Sequence, residues 1–123
     1  MMTQVVTPQQ IEARLYALSK EVDEGHESLV NTEREFHQTT AEYEIAMART
    51  RISLASKSSP TGKNYTVGER EDMAIIENAE QHFKIATMEA QVKAARANVQ
   101  RLKTQVEIAR SMSASVRSSM ELS

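Results

Sequence analysis

The sequence predicts an all-α protein, a long antiparallel helical hairpin of coiled-coil type that self-associates into a helical oligomer. Three observations carry this. Apolar residues recur at heptad spacing along two long stretches separated by one loop. Turn formers are scarce: the 123 residues include three Gly and two Pro, where average usage gives roughly nine and six. Aromatics are only 4%, with no Trp. Burial therefore falls to Ala, Val, Ile, Leu and the seven Met, too little ring area for a dense globule.

The first helix is expected over residues 8–57. Thr7 is an N-cap, Pro8 takes the first helical position and Gln10 closes a T-x-x-Q capping box. Val6 and Ile11 are spaced as a hydrophobic staple. The seam then reads Ile11, Leu15, Leu18, Val22, Gly25, Leu29, Thr32, Phe36, Thr39, Tyr43, Ala46, Thr50, alternating steps of four and three residues. One register holds Leu15, Val22, Leu29, Phe36 and Tyr43, all bulky. The other turns small or hydroxylated after Leu18, which lets a partner helix come close.

The helical signal fades in SLASKSSPTGKNY, where Ser, Pro60, Gly62 and Asn64 cluster. A loop is expected over 58–65. The second helix comes next, over 66–118, with Thr66 as cap and Glu69 as its capping-box partner. Its early seam is read as Ile76, Ala79, Phe83, Ala86, Ala90. The later seam is Val92, Ala95, Val99, Leu102, Val106, Ala109, Ser113, Val116, Met120. The two are out of phase, which predicts a stutter near Ala90. Ile75, Ile85, Met88, Ile108 and Met112 fall off this seam. Residues 119–123 read as a tail prone to fray.

One short loop between helices of near-equal length predicts antiparallel pairing, with Gly25 against Asn98, Thr32 against Gln91 and Tyr43 against Glu80. Contacts so polar leave an isolated hairpin marginal, hence the expected homo-oligomer. The whole chain reads as a single domain.

Several function classes are excluded. There is no Cys, so no disulfide framework or thiolate chemistry, in keeping with a cytoplasmic protein. No apolar run exceeds four residues, as at Met73 to Ile76, far short of a membrane span, and the N-terminus lacks the pattern of a signal peptide. His26, His37 and His82 lack the spacing of a helical zinc site. Glu33 and Glu35, or Glu42 and Glu44, do not share a helix face. Gly62-Lys63 lacks the spacing of a phosphate-binding loop. No catalysis, metal or cofactor is expected.

Charge is more informative. The formal charge is −2, but it is unevenly placed. Acids crowd the first helix between Glu12 and Glu44, whereas Arg49, Arg51, Lys57 and Lys63 succeed one another with no acid between them. Tyr65 is beside the last of these and Arg70 one turn into the second helix. Cations concentrated around a loop, with hydroxyls, an amide and one ring, suit a phosphate backbone with a stacked base. A solvated coiled-coil end complementing a helix dipole has the same composition. Arg96, Arg101, Lys103, Arg110 and Arg117 read as partners for the acidic face of the first helix, in the same or a neighbouring subunit.

The segment AEYEIAMARTRISLAS resembles the end of the first helix in phage UvsY-like recombination mediators. There a Lys-x-Arg pair and an aliphatic residue precede a Gly/Ser-rich loop. Arg49 stands for the lysine, Arg51 for the arginine and Ile52 for the aliphatic. YTVGEREDMA resembles a loop-to-helix junction of small helical phage proteins. Ser53, Leu54 and Ala55 stand where the family has aromatics, which leaves base stacking to Tyr65. The resemblance covers residues 43–72. It implies a helical ring-former that binds single-stranded DNA, without catalysis, and loads a RecA-like recombinase onto strands covered by single-strand-binding protein. The alternative that the residues leave open is a structural or chaperone-like coiled coil that binds a protein, such as a phage assembly or adaptor factor.

Overall fold

The structure, a computed structural model, describes residues 6–121. It is all-helical among those residues: α1 spans Pro8–Ala55, α2 Val67–Glu77 and α3 Ala79–Glu121. The long helices pack against each other. Leu122 and Ser123, the end of the tail read as prone to fray, lie outside the described residues. So do residues 1–5.

Helix α1 begins as its residues dictate. The Gln10 amide donates to Thr7 Oγ1 at 3.2 Å, and the Thr7 amide donates to Gln10 Oε1 at 2.9 Å. These reciprocal bonds satisfy amides that the helix cannot. The helix stops at Ala55, two residues before the expected end. There the Lys57 amide reaches Leu54 O at 3.2 Å and Ser56 Oγ donates to Ser53 O at 2.9 Å. Both are short-range bonds that tighten the last turn.

Helix α2 is capped by Thr66, whose Oγ1 accepts from the Glu69 amide at 3.1 Å while Glu69 Oε1 receives the Thr66 amide at 3.4 Å. Beyond Glu77 the chain departs from the single second helix that the sequence predicts. Asn78 leaves helical geometry, at φ −108° and ψ 28°, and separates α2 from α3. Its carboxamide Nδ2 donates to Ala74 O at 2.9 Å and to Thr50 Oγ1 on α1 at 3.1 Å. A side chain that bonds the backbone four residues earlier competes with the helix ladder, the reason Asn is a poor interior residue.

The chain divides into two compact units, residues 1–31 with 93–123, and residues 32–92. In the first, Leu18, Leu102, Val106 and Ala109 form a buried cluster with Leu15 and Val22 packed against it. Gly25 is buried, and a Cβ placed on it would lie 3.4 Å from both Leu102 Cδ1 and Val99 Cγ2, and 3.8 Å from Asn98 Nδ2. This is the close approach that a small seam residue permits. In the second unit Met47, Leu54, Ala74, Met88 and Val92 are buried. Tyr43 Oη is 3.2 Å from His82 Nδ1, so Tyr43 meets His82 where Glu80 was expected.

The α1 seam is buried or half-buried at every position read from the sequence, from Ile11 to Thr50. Met47 and Leu54 join it. The early seam of the second helix is a correction. Ile76 and Phe83 are 74% and 70% exposed, and Ala86 and Ala90 are exposed too. The positions turned inward include Ala74, Ile75, Asn78, Ile85 and Met88. With Gln81, itself exposed, filling one step of the spacing, Ala74, Asn78, Gln81, Ile85, Met88 and Val92 continue the later seam in steps of four and three, so no stutter is needed at Ala90. The physical reason is that Asn78 and Gln81 are polar. A reading by hydrophobicity passes over them and settles on Ile76 and Phe83, two residues out of phase.

Candidate nucleic-acid interface

The loop after α1 is an ordered turn. The Gly62 amide donates to Ser59 O at 2.9 Å, and the Ser59 amide donates to Lys63 O at 2.8 Å. Ser58 and Asn64 form an antiparallel bridge outside these. The pattern is a three-residue loop, Pro60 to Gly62, closed by a residue with positive φ. Gly62 supplies that residue, at φ 80°, a conformation that costs an L side chain energy. Pro60 fits the first loop position, where its ring presets φ. Ser59 Oγ and Thr61 Oγ1, 2.8 Å apart, bond across the turn.

This backbone sets where the candidate residues fall. Ser58 faces Asn64, so Lys57 and Tyr65 flank the same bridge, and Lys63 is opposite Ser59. Lys57 and Lys63 are exposed; Tyr65 and Arg70 are half-buried. Among the described residues, Arg49, Lys57, Lys63 and Arg70 make no ion pair.

Arg51 differs. Its Nε and Nη2 each donate to a Glu71 carboxylate oxygen at 2.8 Å, a two-pronged pair. Hydrogen bonding from Arg51 holds the Glu71 carboxyl below its ordinary range, and the Glu71 carboxylate in turn raises Arg51. Both side chains are about half exposed, at 47% and 44%, so solvent screens much of their attraction. Arg51 is thus partly neutralised by Glu71. Arg49, two residues earlier on the helix, points to a different face, because two residues turn the helix by about 200°.

The structure therefore groups Lys57, Lys63 and Tyr65 around the turn. Arg51 is tied through Glu71 to the start of α2, which also carries Arg70, and Arg49 stands apart. Sequence reasoning missed Glu71, since nothing in the order of charges says which acid an arginine will meet across a loop. It also missed the internal order of the turn, although S-P-T-G carried the signal: Pro at the first loop position and Gly at the last.

Two of the basic residues expected to serve the acidic helix-one face, Arg101 and Arg110, bond within α3 instead. Arg101 Nη2 donates to Asn98 Oδ1 at 2.8 Å, and Arg110 Nη1 reaches Glu107 Oε1 at 3.3 Å. Both partners are one turn away on α3 itself. Such neighbours are always within reach, whereas a partner across a seam must match in register.

Among the described residues no group of three or more His, Cys, Asp or Glu is placed to hold a metal ion. No helix there is long and apolar enough to cross a membrane. The chain matches no protein-family model, and no curated protein or solved structure shows significant similarity to it. The resemblance to phage recombination mediators thus stands on residues 43–72 alone.

Proposed function

We propose that this chain is a non-enzymatic, self-associating helical protein that binds single-stranded DNA at the turn joining its long helices, as a recombination mediator does. The observation that carries this reading is the placement of Lys57 and Lys63, exposed and without ion-pair partners among the described residues, beside Tyr65 on an ordered turn. Cations follow a phosphate backbone and a ring gives a base a stacking face, whatever the base. Arg70 adds charge from the first turn of α2, while Arg49 stands apart.

An antiparallel hairpin is the arrangement we infer around this turn. In support, Arg51 meets Glu71, Thr50 meets Asn78 and Tyr43 meets His82 in the second unit. In the first unit Gly25 neighbours Val99 and Leu102, and Arg14 Nη2 lies 3.5 Å from Gln105 Oε1. A few weak phosphate contacts per subunit gain strength when repeated around an oligomer. Loading of a RecA-like recombinase onto strands covered by single-strand-binding protein is the part of the proposal drawn from the resemblance.

Fluorescence anisotropy with a labelled oligonucleotide at low salt tests the reading. Binding is expected to weaken steeply as salt rises, by roughly 0.7 in log K per log salt for each phosphate neutralised. A Lys57→Ala/Lys63→Ala variant should flatten that slope. Absence of binding at micromolar protein, or a variant with unchanged slope, would refute it.

A second reading has its own support. The exposed Ile45, Ile52, Ile76 and Phe83 suit a structural or chaperone-like coiled coil that binds protein. A stable protein partner recovered with these residues, and no DNA retention, would favour it.

A further inference from the structure

The early seam expected on the second helix is a real apolar stripe, but it faces solvent. Ile76, Ala79, Phe83, Ala86 and Ala90 step by three and four along α2 and α3. Only Ala79 is even half-buried. Helix α1 carries its counterpart: Ala41, Ile45, Ala48, Ile52 and Ala55 step by four and three, and all five are exposed. Each stripe lies on the side of its helix away from the buried seam. Ile45 and Ile52 stand two residues after Tyr43 and Thr50; Ile76 and Phe83 stand two residues from Ala74 and Ile85. That is about 160–200° of rotation.

Both stripes begin and end within this unit. The same face of α1 upstream holds Lys20, Glu24, Glu27, Asn31, Arg34 and Gln38, the polar surface expected of an outer helix face. On α3 it passes after Ala90 to Lys93, Ala97, Gln100 and Thr104, polar at all but the one alanine. A solvated face has no reason to turn apolar over about four helical turns in two places.

Laid antiparallel, the stripes match step for step. Ala41 meets Ala90, Ile45 meets Ala86, Ala48 meets Phe83, Ile52 meets Ala79 and Ala55 meets Ile76. Every large side chain faces an alanine, the alternation that lets two helices interlock closely. Laid parallel, their steps coincide over more than one interval only when Ile45 is set on Ile76 or on Phe83, large against large.

We infer that the α1 stripe of one copy packs antiparallel on the α2–α3 stripe of the next, in this register. The occupant is a second copy of this chain, because the complement to each stripe is carried by the chain itself. Within one protomer the stripes face away from the seam on both helices, so they cannot close on each other. The contact is head-to-tail, and a head-to-tail contact propagates to three or more copies, closing into a ring or continuing as a filament. This rests on the self-association in the proposed function, and not on nucleic acid.

Charge exchange tests both the surface and the register. Sedimentation velocity without nucleic acid should find the wild type at three or more copies. Ile45→Lys and Ala86→Glu should each weaken assembly by about tenfold or more in concentration. The double variant I45K/A86E should restore it, whereas I45K/A79E, a pair about two helical turns out of register, should not. Circular dichroism confirms that each variant keeps its helices, and restoration by the double variant excludes misfolding as the cause of the single-variant losses. A monomeric wild type, a dimer that does not grow, single variants with unchanged mass, or equal rescue by I45K/A79E would each overturn the inference. DNA binding can fail while every one of these results holds.

Discussion

Replacing Gly25 with alanine should stabilise this protein, although the position is buried at a helix–helix contact. Glycine inside a helix costs about 0.8–1.0 kcal/mol relative to alanine. The new methyl would meet Leu102 Cδ1 and Val99 Cγ2, both at 3.4 Å, only slightly inside the best carbon–carbon separation of about 3.5–4.0 Å. Both neighbours are side-chain ends, which can yield a few tenths of an ångström. The methyl also gains burial worth up to about 0.8 kcal/mol, partly offset by that crowding. The net gain is about 1 kcal/mol. With an unfolding entropy of about 2.1 cal/mol/K per residue, this raises Tm by about 4 °C for a chain of this length. Thermal melts by circular dichroism at fixed protomer concentration, checked by urea titration, measure it. Gly25→Leu is the contrast: its longer side chain cannot fit beside Leu102 and Val99, and a loss of about 1–3 kcal/mol is expected. If Gly25→Ala instead lowered Tm by several degrees, the room for a methyl beside Val99 and Leu102 would be wrong.

The contacts elsewhere set three more outcomes. Gly62→Ala should destabilise by roughly 1–2 kcal/mol, because alanine must adopt the positive φ that glycine tolerates; Gly62→Asn should cost less, and urea titration of the two separates backbone strain from side-chain effects. Asn78→Leu removes the bonds to Thr50 and Ala74 but restores an apolar seam, so helicity and thermal stability should rise while the choice of a single register weakens; circular dichroism and native mass spectra read the two effects. Acid should remove the contribution of the Arg51–Glu71 pair: Glu71 is held low in the fold, so its contribution is present above the unfolded carboxyl pKa and is lost as pH falls through the lowered value. An NMR titration of the Glu71 carboxyl should therefore show it returning to the ordinary range in Arg51→Ala.

The fold was legible wherever local chemistry decides the outcome. Both capping boxes, at Thr7 and Thr66, stood in the sequence because a cap needs only residues three apart. The α1 seam was legible because its four-three spacing runs unbroken from Ile11 to Thr50. The second helix was misread where the seam depends on tertiary partners. Asn78 is an inward residue only because Thr50 waits for its carboxamide, and that pairing spans the loop. Among the candidate residues, Lys57, Lys63 and Tyr65 could be grouped from sequence because the turn that joins them is short. The partial neutralisation of Arg51 was not legible, since Glu71 reaches it only through the path that the loop takes.

The turn at Ser59–Gly62 also bears on how the chain folds. Contacts in residues 32–92 link residues ever further apart in sequence: Arg51 to Glu71 across 20 residues, Thr50 to Asn78 across 28, Tyr43 to His82 across 39. Closing a loop costs about 0.6 kcal/mol more for each doubling of its length, and each contact made shortens the loop that the next must close. Helix pairing in this unit therefore zips outward from the turn, a route of short loops that favours fast folding. Strain placed at Gly62 would then slow folding more than it speeds unfolding, which makes a left-handed glycine in a surface loop part of the folding nucleus.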